Sequence, residues 1–317
     1  MKKLTILVLS LLLLVGCSTK KTEESTTATS SPEATEKTSY TYKVLSPKGA
    51  PTLSIIPFLQ NDQNTVETVD GSDVIQAALL NPNSDYDVII APSNLGAKLS
   101  STNKTTYKMF SIVTWGNLYV VGKTEDSLVN GKVALFGEGA VPGLVYETVV
   151  KDASKDITYY NSVTEAQAAL LSGKADAALL AEPAATATIA KAKENGLELT
   201  IIKDLQELWK TEFTNEGYPQ AAVFIKQEDY DKDPAKFEQL FEDMTSYVAL
   251  INENKDQLTT DVDAIGVDVL GIPNGKIAAA TLARMNVKIV KAKDSEKELL
   301  DFLKLFKIED LTNTIIK

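Results

Sequence analysis

Gly173-Lys174-Ala175-Asp176-Ala177-Ala178-Leu179-Leu180-Ala181-Glu182-Pro183 says most about the architecture of this chain. A glycine turn leads into five apolar residues, then an acid and a proline. A short unbroken apolar run between turn signals reads as a strand buried on both faces. Glu182-Pro183 then opens a helix to about residue 192, because proline's fixed φ suits the first helical position. Tyr86-Asp87-Val88-Ile89-Ile90-Ala91-Pro92-Ser93-Asn94 has the same layout, as a strand, a proline and a helix start. Lys132-Val133-Ala134-Leu135-Phe136 repeats it, with the break Gly137-Glu138-Gly139-Ala140-Val141-Pro142-Gly143 before a helix at 144–150.

Working outward, strand–loop–helix units fall into two sets, about 45–121 and 132–221. Such alternation predicts parallel sheets with helices on both faces. The first set opens with a strand at 42–45 and the turn-rich Ser46-Pro47-Lys48-Gly49-Ala50-Pro51. An apolar helix is expected from 52 to 61, a second helix at 72–80, and a strand at 111–121 interrupted by Gly116. Residues 163–171 read as a helix and 222–225 as a strand. The last third reads as helices at 235–254, 260–269 and 273–285, a strand at 287–290, and an amphipathic helix at 295–306.

The chain begins like an export signal. Lys2 and Lys3 precede an apolar run at 4–15, the length of a signal core and short for a membrane span. Leu14-Val15-Gly16-Cys17 sets small residues before the one cysteine, which resembles the bacterial lipobox. On that reading 1–16 is the signal peptide, Cys17 carries lipid, and 17–39 is a polar, disordered tether. Fully extended, the tether reaches roughly 70 Å. The expected address is the outer face of the cell membrane, by lipid anchor, since no later apolar stretch is long enough to span a bilayer.

Acidic residues outnumber basic ones 43 to 32, which argues against nucleic acid as a partner. There is no histidine, and no cysteine beyond Cys17. Internal disulfides and Ser-His or Cys-His catalysis are thereby excluded. Zinc, copper and haem lose their usual ligands. The expectation is a protein with no catalytic residue, metal or cofactor, acting as a monomer.

In open α/β sheets, ligands bind beyond the carboxyl ends of the strands, where helix N-termini present unpaired N–H groups. Candidate ligand-binding residues stand at such breaks. They are Gly49, Ala50, Pro51 and Thr52 after the first strand, Ser93 and Asn94 after the 86–91 strand, and Trp115 and Asn117 around Gly116. Gly139, Ala140 and Glu182 are their counterparts in the second set. Arg284, the only arginine, joins them because a guanidinium grips planar oxyanions as lysine does not. It is otherwise a helix-end charge or an ion pair between lobes. Glu182 accepts from a ligand amine or stabilises the helix start, and Trp115 is the candidate for stacking on a heterocycle.

Ser46-Pro47-Lys48-Gly49-Ala50-Pro51, the 86–94 and 173–183 stretches, and Arg284-Met285-Asn286, in that order behind a lipobox, resemble a family. It is the ABC-transporter substrate-binding lipoproteins of the nitrate/sulfonate/taurine and thiamine-precursor group. The resemblance spans roughly 40–305. It implies a two-lobed periplasmic-binding-protein-like fold (type II), each lobe a mostly parallel sheet flanked by helices, joined by crossover strands near 120–123 and 221–226. Lobe 1 then takes 40–121 and 223–317, and lobe 2 takes 122–222. The resemblance further implies capture of a small polar solute between the lobes, hinge closure, and delivery to an ABC permease. The solute is either an anion such as a sulfonate, suited to Arg284, or a thiamine-precursor-like heterocycle, suited to Glu182 and Trp115. An enzyme on the same fold acting on a small heterocycle, and an adhesin or sensor lipoprotein, stay open at this point.

Overall fold

The computed structural model describes residues 40–317; the expected signal peptide, the lipidated Cys17 and the tether lie outside the described residues. One sheet begins with β1 (Lys43–Pro47), β2 (Thr65–Val69), β3 (Val88–Pro92) and β4 (Tyr107–Thr114). A second holds β5 (Leu118–Gly122), β6 (Val133–Phe136), β7 (Ile157–Tyr160), β8 (Ala177–Ala181) and β9 (Thr200–Asp204). The chain then returns to the first sheet with β10 (Ala221–Lys226) and β11 (Val287–Lys291). The strand orders are β11-β4-β10-β3-β1-β2 and β7-β6-β8-β5-β9. In the first sheet β1 to β4 share a direction that β10 and β11 oppose. In the second, β6 to β9 share a direction that β5 opposes. The sheets are thus largely parallel, as alternating units require. β5 and β10, reversed in mid-sheet, are the strands that bring the chain in from the other sheet.

The helices around the first sheet are α1 (Ile56–Leu59), α2 (Asp73–Leu80) and α3 (Ser93–Ser101). Those of the second set are α4 (Glu125–Val129), α5 (Val141–Val149), α6 (Val163–Leu171), α7 (Ala184–Glu194) and α8 (Leu205–Phe213). The last third adds α9 (Gln227–Lys232), α10 (Pro234–Glu253), α11 (Lys255–Ile265), α12 (Val267–Leu270), α13 (Gly275–Met285) and α14 (Glu296–Leu303). The apolar segment expected as a helix from 52 to 61 is instead a 3-10 turn at Ala50–Ile55 followed by the single turn α1. Pro57 lacks the N–H that a continuous α-helix over 52–61 would donate to Leu53 O.

Gly116 divides the 111–121 stretch between the two sheets. Its φ is +88°, and a Cβ there would lie 2.5 Å from the Tyr218 ring, so only glycine fits the turn. The first passage between sheets therefore falls at 115–117 rather than near 120–123, and β5 pairs wholly with β8 and β9. The chain returns between α8 and β10, before rather than within the expected 221–226. Buried aromatics fill this junction: Tyr218 stacks on Phe302 of α14 at 5.8 Å and meets Trp209 of α8 edge-on at 5.2 Å.

Candidate functional site

β1, β3 and β4 end, and β10 begins, at one edge of the first sheet. β6 and β8 end, and β5 begins, at the facing edge of the second. These ends enclose a cavity of about 820 Å³, within the range of small-molecule sites. Its apolar wall includes Pro47, Pro92, Leu118, Phe136 and Ala181.

Two helices of nine residues open onto the cavity from opposite sheets without a side-chain cap: α3 behind Pro92, and α5 behind Ala140. Backbone serves part of each first turn: Ser93 N donates to Gln220 O at 3.0 Å and Gly143 N to Gly137 O at 3.1 Å, and Pro142 has no N–H. α6 and α7 also begin there and are served by side chains. Ser162 accepts from Glu165 N, and the Glu182 carboxylate accepts from Thr186 N at 3.0 Å.

Three charged side chains stand on the wall among the described residues: Lys48, Asp70 and Glu182. Each is paired. Lys48 Nζ lies 2.9 Å from Asp70 Oδ2. Glu182, whose side chain is wholly enclosed, accepts from Arg284 Nε at 2.7 Å and Thr186 Oγ1 at 2.8 Å. Arg284 Nη2 donates to Thr186 Oγ1 at 2.7 Å. Four amides also line the cavity; Asn94 Oδ1, Asn117 Oδ1 and Gln220 Oε1 are enclosed without a hydrogen-bond partner, while Gln167 Nε2 donates to Thr188 Oγ1 at 2.8 Å. Asn117 is fixed by its other groups: Nδ2 donates to Glu182 O at 3.0 Å, and Asn117 O accepts from Glu182 N at 2.9 Å.

Hydrogen bonds tie the junction behind the cavity together, although the indole nitrogen of Trp209 there is enclosed without a partner. Gln206 clamps Leu118, accepting from its N–H at 2.8 Å and donating to its carbonyl at 3.0 Å, while Tyr218 donates to Gln206 Oε1 at 2.7 Å. Asn286 Nδ2 donates to Gly116 O at 2.8 Å, and Tyr119 donates to Arg284 O at 2.9 Å. Burial raises the pKa of both phenols, and for Tyr119 the charges of Asp204 and Glu182 add to it. Both therefore remain neutral donors.

Of the residues expected from sequence, Gly49, Ala50, Pro51, Asn94, Asn117, Ala140 and Glu182 line the cavity. The other five do not. The Thr52 hydroxyl donates to Gly49 O and Leu270 O, holding the loop from behind. Ser93 is wholly buried at the start of α3, and Gly139 stands in an exposed loop. Trp115 is buried in the junction, its indole donating to Lys288 O at 2.9 Å. Arg284 is spent on Glu182. Sequence reasoning missed Gln220 and Gln167 on the wall. Gln220 precedes β10, whose reversed direction turns its N-terminal end to the cavity, and strand carboxyl ends alone do not point to it.

No family model and no curated protein matches the sequence. Solved structures do match. A structure described as an ABC transporter from Parabacteroides distasonis superposes with a TM-score of 0.71 at 22% identity, over 87% of this chain and 99% of that one. The periplasmic aliphatic sulphonate binding protein SsuA from Escherichia coli gives 0.60 at 14%, over 85% and 87%. The chain has the fold of ABC-importer substrate-binding proteins. The ligand binding component of an ABC-type import system from Staphylococcus aureus, solved with zinc bound, shares that fold at 0.60 and 13%, over 87% and 96%. Within this substrate-binding-protein fold, no group of three His, Cys, Asp or Glu among the described residues could hold a metal. No helix among them is long and apolar enough to cross a membrane.

Proposed function

We propose that the protein captures a small polar solute in the cavity between its two sheets and presents it to an ABC permease. In this reading it is held at the outer membrane face by lipid on Cys17. The observation that carries the reading is the cavity itself: facing strand ends of two sheets build it jointly, and only two chain passages connect them. A solute touching both walls favours the closed arrangement by its differential contacts, which gives a permease a shape to recognise. The chemistry of the wall supports binding over turnover, since its enclosed carboxylate is saturated by Arg284 and Thr186. Lobe 1 is residues 40–117 with 220–317, and lobe 2 the insert between; the protein acts as a monomer.

A thermal-shift screen of the full-length protein against sulfonates, nitrate, amino acids, pyrimidines and vitamins tests the reading. One class is expected to raise the melting temperature in proportion to the logarithm of its concentration. No response across the panel removes the reading. Separately, Cys17→Ser is expected to release the protein from the membrane fraction, and retention would refute the anchor.

A further inference from the structure

We infer that Arg284 is a positioning residue: its ion pair with Glu182 braces the two lobes at the angle at which both walls line one cavity. The inference rests on the solute-capture reading and adds a conformational control to it. Arg284 stands near the end of α13 in lobe 1, whereas Glu182 precedes α7 and Thr186 lies in its first turn, in lobe 2. Among the described residues this is the one salt bridge that crosses between the lobes; the others close within a lobe. Glu182 has its own ties inside the wall. Its N–H and carbonyl are bonded to Asn117, and Thr186 donates twice to its carboxylate. What Arg284 adds is a charged link from one lobe to the other, and it does so without lining the cavity.

The two chain passages lie side by side. A Cβ on Gly217 would stand 2.9 Å from Trp115 O, and one on Gly116 would stand 2.5 Å from the Tyr218 ring. Two adjacent passages make a hinge and leave the angle to contacts around it. Phe302 of lobe 1 meets Trp209 and Tyr218 of lobe 2 there, but ring contacts are tolerant of small rotations. The guanidinium is not. It is fixed at two points, Nε on Glu182 Oε1 and Nη2 on Thr186 Oγ1, both at 2.7 Å. Such bonds are lost when their atoms part by about 1 Å. A wider angle also takes the countercharge from an enclosed carboxylate, which is costly. The pair therefore favours the cavity-forming arrangement over any that breaks it.

The test puts spin labels at Asp73→Cys and Glu138→Cys, exposed positions beside the walls of lobe 1 and lobe 2, in the full-length chain carrying Cys17→Ser. Pulsed spin-resonance distances are read first without solute. Arg284→Met is expected to add a longer distance to the narrow distribution of the parent, and Arg284→Lys to recover part of the narrow one. Thr186→Val, which removes the second point of attachment and keeps the ion pair, is expected to shift the distribution the same way by less, and it carries the test if Arg284→Met fails to fold. Affinity is then read by calorimetry for the panel compound with the largest thermal shift. If the cavity-forming arrangement falls to about a quarter of the molecules, affinity falls about fourfold, because it scales with the competent fraction. Distances unchanged in both Arg284→Met and Thr186→Val would overturn the inference. Weaker binding at unchanged distances would also overturn it, by assigning Arg284 to the wall through Glu182. Silence across the panel would remove solute capture, while the distances without solute still decide the brace.

Discussion

The junction behind the cavity and the cavity wall are built from the same residue types and treat them oppositely. Gln206 at the junction uses both ends of its amide, on the Leu118 backbone and the Tyr218 hydroxyl. Gln220 on the wall keeps an enclosed oxygen with no partner. Asn286 ties its Nδ2 to Gly116 O, whereas Asn94 leaves its oxygen free. An enclosed polar group without a partner costs about 1–3 kcal/mol, so orphans are rare in structural positions. The junction is the more fully bonded region and the wall the one with more unmet acceptors, although Trp209 Nε1 in the junction is also enclosed without a partner. Asn117 belongs to both regions, its amide nitrogen joined to the junction and its oxygen left to the wall.

Breaking the junction should therefore cost folding, in the order of how much is stranded. Gln206→Leu leaves the Leu118 N–H, the Leu118 carbonyl and the Tyr218 hydroxyl enclosed and unpaired. At about 1–3 kcal/mol each, with some relaxation, a loss of about 4 kcal/mol is expected in urea unfolding. A loss below about 1 kcal/mol would erase the distinction between the regions. Gly116→Ala follows, since a side chain at φ +88° and 2.5 Å from the Tyr218 ring adds a clash to backbone strain of about 1–3 kcal/mol. The expected loss is about 3 kcal/mol by the same measurement, and a Gly116→Ala protein of unchanged stability would mean that the turn is not fixed. Arg284→Met strands the Glu182 carboxylate. Breaking an enclosed pair costs roughly 3–5 kcal/mol; Arg284 is 38% exposed and Thr186 still donates, so about 2 kcal/mol is expected. Lys at 284 should recover part of this, and failure to do so would assign the effect to packing.

The interior of the fold was legible in the sequence and its margins were not. The runs at 88–91 and 177–180 are wholly buried, and an unbroken apolar run has few other uses. The strands that went unread were β2, β7 and β9, each at the edge of its sheet. Edge strands bury part of their surface and need no apolar run; Thr65-Val66-Glu67-Thr68-Val69 has two apolar residues and no such run. The site divides the same way. Most of the loop residues at carboxyl strand ends reached the wall because strand direction puts them there; Thr52, Ser93 and Gly139 stand at such ends and do not. Trp115 and Arg284 did not, because residue type suggested a ligand role that position overrules: one is packed against β11, the other sits across from the chain's own carboxylate. Neither the reversal of β10 nor the partner of Glu182 can be seen without the tertiary pairing, and Gln220 and the Arg284 ion pair depend on them.

The smallest expected effect on folding is the sharpest test of the comparison. Gln220→Met keeps the length of the side chain and removes an oxygen that has no partner. If the wall is a structural region like the junction, the substitution should destabilise the protein, as Gln206→Leu does. If the wall is set aside for a solute, removing the orphan relieves an unmet desolvation cost. Stability in urea should then stay level or rise by about 1 kcal/mol, while the affinity for the solute that the thermal-shift screen identifies falls about tenfold, or 1.4 kcal/mol. Stability gained where binding is lost is the usual signature of a residue kept for function. The two measurements must move in opposite directions, and a joint loss would return Gln220 to the structural class.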